Sequence, residues 1–469
     1  MYSVFDPDLF TAGTLIGFCL ALVVFWTVAH GRTLFASPPA WFLLLQALFF
    51  VGTMIVADLR SGVDQQWVLL MLGAFASFVA GCVLANAIFR FRVRDEIARF
   101  RTSPIVFDIE GRRLAILYAF ALLCTVVGIT FAVAVGYNVF MSSLKDFLAA
   151  GSEFDTSTYR TMRSSISTER YVAVGYATQF TGMLLPLVIY LLYIRADHTR
   201  RARDFVIVGA LVLADLYFLT ITGNRGWLLH AGLLFILIFS RLGPLPRKRA
   251  TRGQLAVTGG LVVIAVAFYA LSTTMMGRVS DGGGAGTLAE GLVQDLFDRV
   301  MGFQAKGELL IMRYFLGHPP VWGQEWLEGL ATVLPGGGKA HGFGSELHAF
   351  LFQGDESGSL GLTIWGSYWY NWGALGTLAF ALFTGIGMQS FTIWLVRGPR
   401  HVLRVVALFV AGYRMTSFHD PYSLLLEGCP TILLFYGICC VLAPRSASHV
   451  ESRYRKASRL SVLQRRRYT

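Results

Sequence analysis

Apolar stretches of about 20 residues recur along the chain, separated by short polar segments. A run of that length crosses the ~30 Å hydrocarbon layer of a bilayer as one helix. The pattern predicts eleven spans, roughly 9–30, 39–58, 67–89, 113–136, 171–194, 205–222, 227–241, 254–275, 372–396, 403–418 and 424–443. Two longer polar stretches interrupt them. Segment 137–170 is rich in Ser and Thr. Segment 276–371 opens on Gly277-Arg278-Val279-Ser280-Asp281-Gly282-Gly283-Gly284 and continues with a helix-like run that has Leu292, Leu296, Val300 and Phe303 on one face. That run includes Asp298, Arg299, Glu308 and Arg313. A Gly/Pro-rich region around Pro335-Gly336-Gly337-Gly338 follows, and the segment runs on through Asp355-Glu356-Ser357-Gly358-Ser359-Leu360-Gly361. The expected fold is all-α: one polytopic membrane domain over 1–469 with a basic tail at 444–469.

Composition agrees with this. The 469 residues are 55% hydrophobic and 14% charged, against about a quarter charged in soluble domains. Mean hydropathy is +0.57. The net charge of +12 sits mainly in alternate loops: Arg90 to Arg113, Arg195 to Arg203, Arg241 to Arg252, Arg397 to Arg404, and a tail ending Arg465-Arg466-Arg467. Basic loops mark the cytoplasmic side. The N-terminus is then outside, the C-terminus inside, and segments 137–170 and 276–371 face outward. Charge that sets topology removes the case for a nucleic-acid partner.

The start of the chain lacks a basic n-region, so the first run is expected to persist as a span. All six cysteines lie in apolar runs without metal-ligand spacing, and no GxxxxGK[ST] occurs. Neither a metal nor a nucleotide cofactor is expected.

Candidate chemistry lies on the outward side. Arg225 occupies the tight turn Gly223-Asn224-Arg225-Gly226 between two spans, at head-group depth. A guanidinium fork fits phosphate oxygens; an interface anchor is the alternative. Arg160, Arg163 and Arg170 form a second outward cluster, balanced by Glu153, Asp155 and Glu169. Arg278, Arg299 and Arg313 form a third, either offering charge to head groups from a surface helix or belonging to a structural lid. Asp215, Arg414 and Glu427 fall in or beside spans, where charge is paired or functional. The candidates for a general base are His341, Glu346, His348, Asp355, Glu356 and His419, with His348 and Glu356 preferred. Trp365, Tyr368, Trp369, Tyr370 and Trp372 form either an interfacial belt or a platform for sugar rings.

Three of these segments carry a resemblance. Leu219-Thr220-Ile221-Thr222-Gly223-Asn224-Arg225-Gly226 resembles the "tGxR" turn of bacterial oligosaccharide-repeat-unit (O-antigen) polymerases, the Wzy class. Ser357-Gly358-Ser359-Leu360-Gly361 followed by Tyr368-Trp369-Tyr370-Asn371-Trp372-Gly373-Ala374-Leu375-Gly376 resembles that family's approach to the span after its large periplasmic loop. Segment 158–170 resembles its earlier arginine-bearing loop. The resemblance covers about residues 110–440.

It implies a GT-C-type membrane glycosyltransferase of the inner membrane that joins repeat units carried on undecaprenyl diphosphate at the periplasmic face, without metal. Both donor and acceptor would be lipid-linked glycans, the product a surface polysaccharide (O-antigen, capsule or exopolysaccharide), and a chain-length regulator a further partner. Arg225, with Arg160, Arg163, Arg278 and Arg299 behind it, would bind the diphosphate. The related ligases carry a His-rich motif where this chain has Ser357-Gly358-Ser359, which favours a polymerase over a ligase. A flippase of lipid-linked sugars is the third reading, for which broken helices and a site near mid-membrane would be expected.

Overall fold

The computed structural model describes residues 6–30, 37–103, 109–150, 177, 179–221, 263, 271, 303–315, 319–331, 363–398, 401–404, 406–407 and 434–438. These residues are helical almost throughout. In chain order the elements are α1 (Pro7–Val24, continued by a π-helical turn Phe25–Ala29), α2 (Pro38–Val56), α3 (Gly62–Ile88), α4 (Val93–Thr102), α5 (Gly111–Val135) and α6 (Val139–Ala150). A second π-helical turn, Phe180–Leu184, leads into α7 (Leu185–Thr199). Then come α8 (Ala202–Ile221), α9 (Phe303–Phe315), α10 (Gln324–Ala331) and α11 (Ile364–Arg397).

Local chemistry sets several boundaries. The Asp6 carboxylate accepts from the amides of Asp8 and Leu9, and Pro7 occupies the first turn. Ser37 caps Pro38–Val56 in the same way. Such side chains take up amides that a helix start leaves without partners. Gly136 ends α5 in the left-handed conformation at φ 75°.

Seven helices among the described residues are long and apolar enough to cross a membrane: Pro7–Ala29, Pro38–Val56, Gly62–Ile88, Gly111–Val135, Phe180–Thr199, Ala202–Ile221 and Ile364–Arg397. They fall on seven of the eleven expected spans. The spans expected at 227–241, 254–275, 403–418 and 424–443 lie wholly or largely outside the described residues. Among the described residues the protein is all-helical, and its helices make it a multi-pass membrane protein.

One helix differs from expectation. The span expected at 372–396 begins at Ile364, and the helix is interrupted at Gly373, whose φ of 69° and ψ of −170° are not helical. Residues 374–397 suffice to cross a bilayer. Residues 364–372 form a separate helical piece, where the sequence pattern suggests the end of a loop.

The tightest packing joins α3 and α11. A Cβ on Gly81 would overlap the carbonyl oxygen of Leu382, and one on Gly385 would overlap that of Phe78. Small residues let membrane helices approach backbone to backbone, which is the main source of packing energy where lipid is as apolar as the core. The two helices run parallel. Trp67 meets Trp369 near one end, and Gln389 donates to Asn86 at 2.8 Å toward the other. Parallel α3 and α11 are what the predicted topology requires, since both are expected to cross from outside to inside. A second core gathers α5, α6, α7 and α8, with Phe218 filling the space above Gly128.

Candidate functional site

One group of buried polar and aromatic side chains collects at the N-terminal ends of α3 and α11, where α9 and α10 dock. Helix α9 lays Ala305, Leu309 and Met312 on one face, a helical stripe, against the bundle. Burying Leu309 and Met312 stabilises the docked helix by roughly 2 kcal/mol each.

Two ionised or ionisable groups fix its register. Arg313 Nε donates to Asp64 Oδ1 at 3.0 Å and Nη2 to Oδ2 at 2.6 Å, a two-pronged pair. Asp64 is 0% exposed and also accepts from the Asp58 amide at 2.8 Å. The guanidinium, 47% exposed, is held above its ordinary value chiefly by its hydrogen bonds to Asp64. Arg313 was expected to present charge to head groups or to sit in a lid. Its Nε and Nη2 are engaged by Asp64, so that part of the fork is committed to holding α9 on α3.

Glu308 is 1% exposed. Thr363 is the N-cap of α11, but its side chain does not cap its own helix. Instead Glu308 Oε1 accepts from the Thr363 amide at 2.8 Å and from the Thr363 hydroxyl. One helix thus supplies the capping carboxylate for another. Burial pushes the Glu308 carboxyl up to about 7, against the pull of the Thr363 donors, the Gly366 backbone and the neighbouring Trp67 indole. Glu308 Oε2 and Trp67 Nε1 are both buried without a partner meeting hydrogen-bond geometry.

The break at Gly373 is completed by the segment before α10. A helix interruption releases carbonyls from their i+4 amides. Val321 N–H donates to Tyr370 O at 3.2 Å, and Trp322 N–H to Asn371 O at 2.8 Å. Trp322 and Gly323 have φ of 54° and 80°. A Cβ on Gly323 would lie 2.7 Å from the Trp372 ring, so only glycine lets this turn close on the helix. Asn371 donates to Glu325 at 2.7 Å, and Trp326 Nε1 to Ser367 Oγ at 3.1 Å. Trp326 packs edge-on against Tyr368 and Phe380.

Two of the five aromatics read differently from either expectation. Trp365 and Tyr368 are core residues. Trp365 meets Phe42 edge to face, and the Tyr368 hydroxyl bonds Thr384 Oγ1 at 2.6 Å. Neither belongs to an interfacial belt or is open to a sugar. Trp322, outside the expected group, is the exposed tryptophan here at 68%.

A second corner lies where α5 gives way to α6. Asn138 caps α6 through its Oδ1, which accepts from the Met141 amide at 3.0 Å. Its Nδ2 donates to Thr220 Oγ1 at 2.9 Å and to Tyr217 O at 3.4 Å. This ties the start of one predicted outward segment to the last turn of α8. Asp215, five residues before Thr220 on α8, is buried near Cys124 and Tyr190, and its Oδ1 has no partner among the described residues.

At the opposite end, arginines read as topological signals also hold helices. Arg397 engages both oxygens of Glu96, at 2.8 and 2.9 Å, and the Phe89 carbonyl at 2.8 Å. Those hydrogen bonds pull the Glu96 carboxyl below its ordinary value. Arg195 pairs with Asp204 at 2.8 Å.

The sequence-predicted site residues Arg160, Arg163, Arg225, Arg278, Arg299, His341, His348, Asp355 and Glu356 lie outside the described residues. So do Arg170, Glu346, Arg414, His419 and Glu427. Asp64 and Glu325 were not singled out from the sequence, and Glu308 was noted only as part of a helix. The available signal for Asp64 was a lone acid in the first turn of an apolar span. Among the described residues no group of three or more His, Cys, Asp or Glu is arranged to hold a metal. Comparison with family models, curated proteins and solved structures finds no match for this chain.

Proposed function

We propose that the protein is a polymerase of cell-surface polysaccharide, an integral-membrane glycosyltransferase of GT-C type. It joins oligosaccharide repeat units carried on undecaprenyl diphosphate at the periplasmic face of the inner membrane. A sugar hydroxyl of one lipid-linked unit attacks C1 of the other chain's first sugar. The C1–oxygen bond to the diphosphate breaks, and the lipid diphosphate leaves with the bonding electrons. A carboxylate or imidazole of segment 341–356 takes the hydroxyl proton. Arginines stabilise the charge that grows on the leaving group, which favours the transition state over the ground state. Arg225 is assigned the main part, with Arg160, Arg163, Arg278 and Arg299 in support.

The observation that carries this reading is the corner at Asn138. The chain leaves α8 for the Gly223-Asn224-Arg225-Gly226 turn only a few residues after Thr220, and Thr220 is hydrogen-bonded to the residue that starts the 139–150 helix. Two arginine-bearing segments therefore depart from one point. The break at Gly373 does not favour a transporter. It lies toward one end of its helix, and Val321 and Trp322 take its carbonyls, which is how a docked loop behaves and not a mid-membrane site.

The test is reconstitution of the purified protein in liposomes with an undecaprenyl-diphosphate-linked repeat unit, reading polymer by gel ladder and mass spectrometry. Long polymer supports the assignment. Transfer only to an added lipid A core or protein acceptor makes the protein a ligase. Translocation of the lipid-linked unit without bond formation makes it a flippase.

A further inference from the structure

Glu308 is not used by the proposed reaction, yet it is the buried carboxyl through which α9 meets α11. The helix has two polar anchors. Arg313 grips Asp64 on α3, and Glu308 caps α11 through Thr363. We propose that α9 is a proton-operated latch, docked on the ends of α3 and α11 most firmly when Glu308 is neutral and loosened when Glu308 ionises. The inference holds whatever substrate the protein takes.

The geometry supplies the reason. Docking buries the whole Glu308 side chain, and Oε2 has no partner that meets hydrogen-bond geometry. A neutral carboxyl tolerates that environment, and an ionised one is penalised by lost hydration. Among the described residues no charged group is bonded to it. Helix α2 has no ionisable residue between Pro38 and Val56. On α3 and the preceding turn, the ionisable groups facing α9 are Asp64, already held by Arg313, with Asp58 and Arg60 beyond. From α11 only Thr363 and the Gly366 backbone reach the carboxyl. On α9 itself, Lys306 is exposed and Arg313 is committed to Asp64.

The sign follows from linkage. In the docked helix the carboxyl titrates at about 7, and the ordinary value is 4.5. Undocking returns it to water and to that ordinary value, so docking takes up a proton between the two. The docked-to-undocked ratio is highest below 4.5. It falls toward tenfold per pH unit as pH rises to about 7, and is nearly constant above.

The experiment is hydrogen exchange with mass spectrometry on the full-length protein in lipid nanodiscs from pH 5.5 to 8.5, corrected for the intrinsic pH dependence of exchange. Peptides from 303–315 report the latch, and peptides from 74–85 of α3 serve as an internal standard. Protection of 303–315 should fall roughly tenfold between pH 5.5 and 7 and by no more than about twofold beyond, with α3 unchanged. Glu308→Gln should be flat with pH and close to the wild-type acid level. Asp64→Asn, which breaks the other anchor without leaving a second buried carboxylate, should lower protection at every pH and keep the wild-type slope. A flat wild-type profile, or a Glu308→Gln profile with the wild-type slope, overturns the proposal. Should Glu308→Gln fail to accumulate, the slopes of wild type and Asp64→Asn still decide it.

Discussion

Gly81 and Gly385 lie on facing surfaces of α3 and α11, each pressed against a backbone carbonyl of the other helix. Any side chain at either position must push the helices apart. We expect Gly81→Leu and Gly385→Leu each to cost ~3 kcal/mol or more, as overpacking a contact without free volume does. Gly387, with open space around its Cβ position, should accept alanine without loss. Thermal unfolding in detergent, followed by fluorescence-detected size exclusion, separates these cases. Equal melting behaviour for Gly81→Leu and Gly387→Ala would contradict the packing.

The Asp64–Arg313 pair should be asymmetric. Arg313→Ala leaves a fully buried carboxylate without its cation, which costs ~3 kcal/mol. Asp64→Asn leaves a half-exposed guanidinium that water can solvate, for about 1 kcal/mol. Arg313→Lys keeps the charge but cannot engage both oxygens, and should fall between. A double-mutant cycle in the same unfolding assay measures the coupling. Additive effects would mean that the pair does not hold α9.

Gly373→Ala tests the helix break. An L side chain at φ 69° with ψ −170° is strained by ~2 kcal/mol. Relief by straightening would strip Tyr370 and Asn371 of their contacts to Val321 and Trp322. The expected readout is faster proteolysis or exchange within 319–331 with little change in α5 to α8. Loosening of the whole protein to the same extent would argue against a local role.

Arg225 tests the proposed chemistry. Arg225→Ala and Arg225→Lys should both lose most long polymer while membrane abundance stays near wild type, because lysine retains charge without the fork. Single alanine substitutions at His341, Glu346, His348, Asp355, Glu356 and His419 should include one that shortens the ladder by roughly 10²–10⁴-fold in rate. Six unchanged ladders would move the base elsewhere, with Asp155 and Glu169 next.

Topology can be read directly. Cysteines placed at Ser152 and Gly283 should react with impermeant maleimide from the periplasm, and those at Arg201 and Arg249 only from the cytoplasm. Cytoplasmic labelling of both outward segments would end the polymerase reading.

Seven spans were legible because a membrane helix is a local object. Twenty apolar residues satisfy their own backbone, and lipid accepts their side chains in almost any arrangement. The parallel run of α3 and α11 agrees with the alternation expected from loop arginines, which resist crossing. Partnership was not legible. Asp64 and Arg313 are separated by 249 positions, and nothing local distinguishes a lid arginine with a buried acid beneath it from one facing head groups. Trp365 and Tyr368 look like an interfacial belt because their neighbours along the chain are aromatic. They are core because α2 and α3 cover them. The sequence alone determined a many-span helical membrane protein with its charge asymmetry. Only the tertiary structure decided that Glu308 caps a helix other than its own and that Gly373 breaks a span whose freed carbonyls another segment satisfies. Both depend on desolvation and hydrogen-bond satisfaction between distant segments, and no local window contains those quantities.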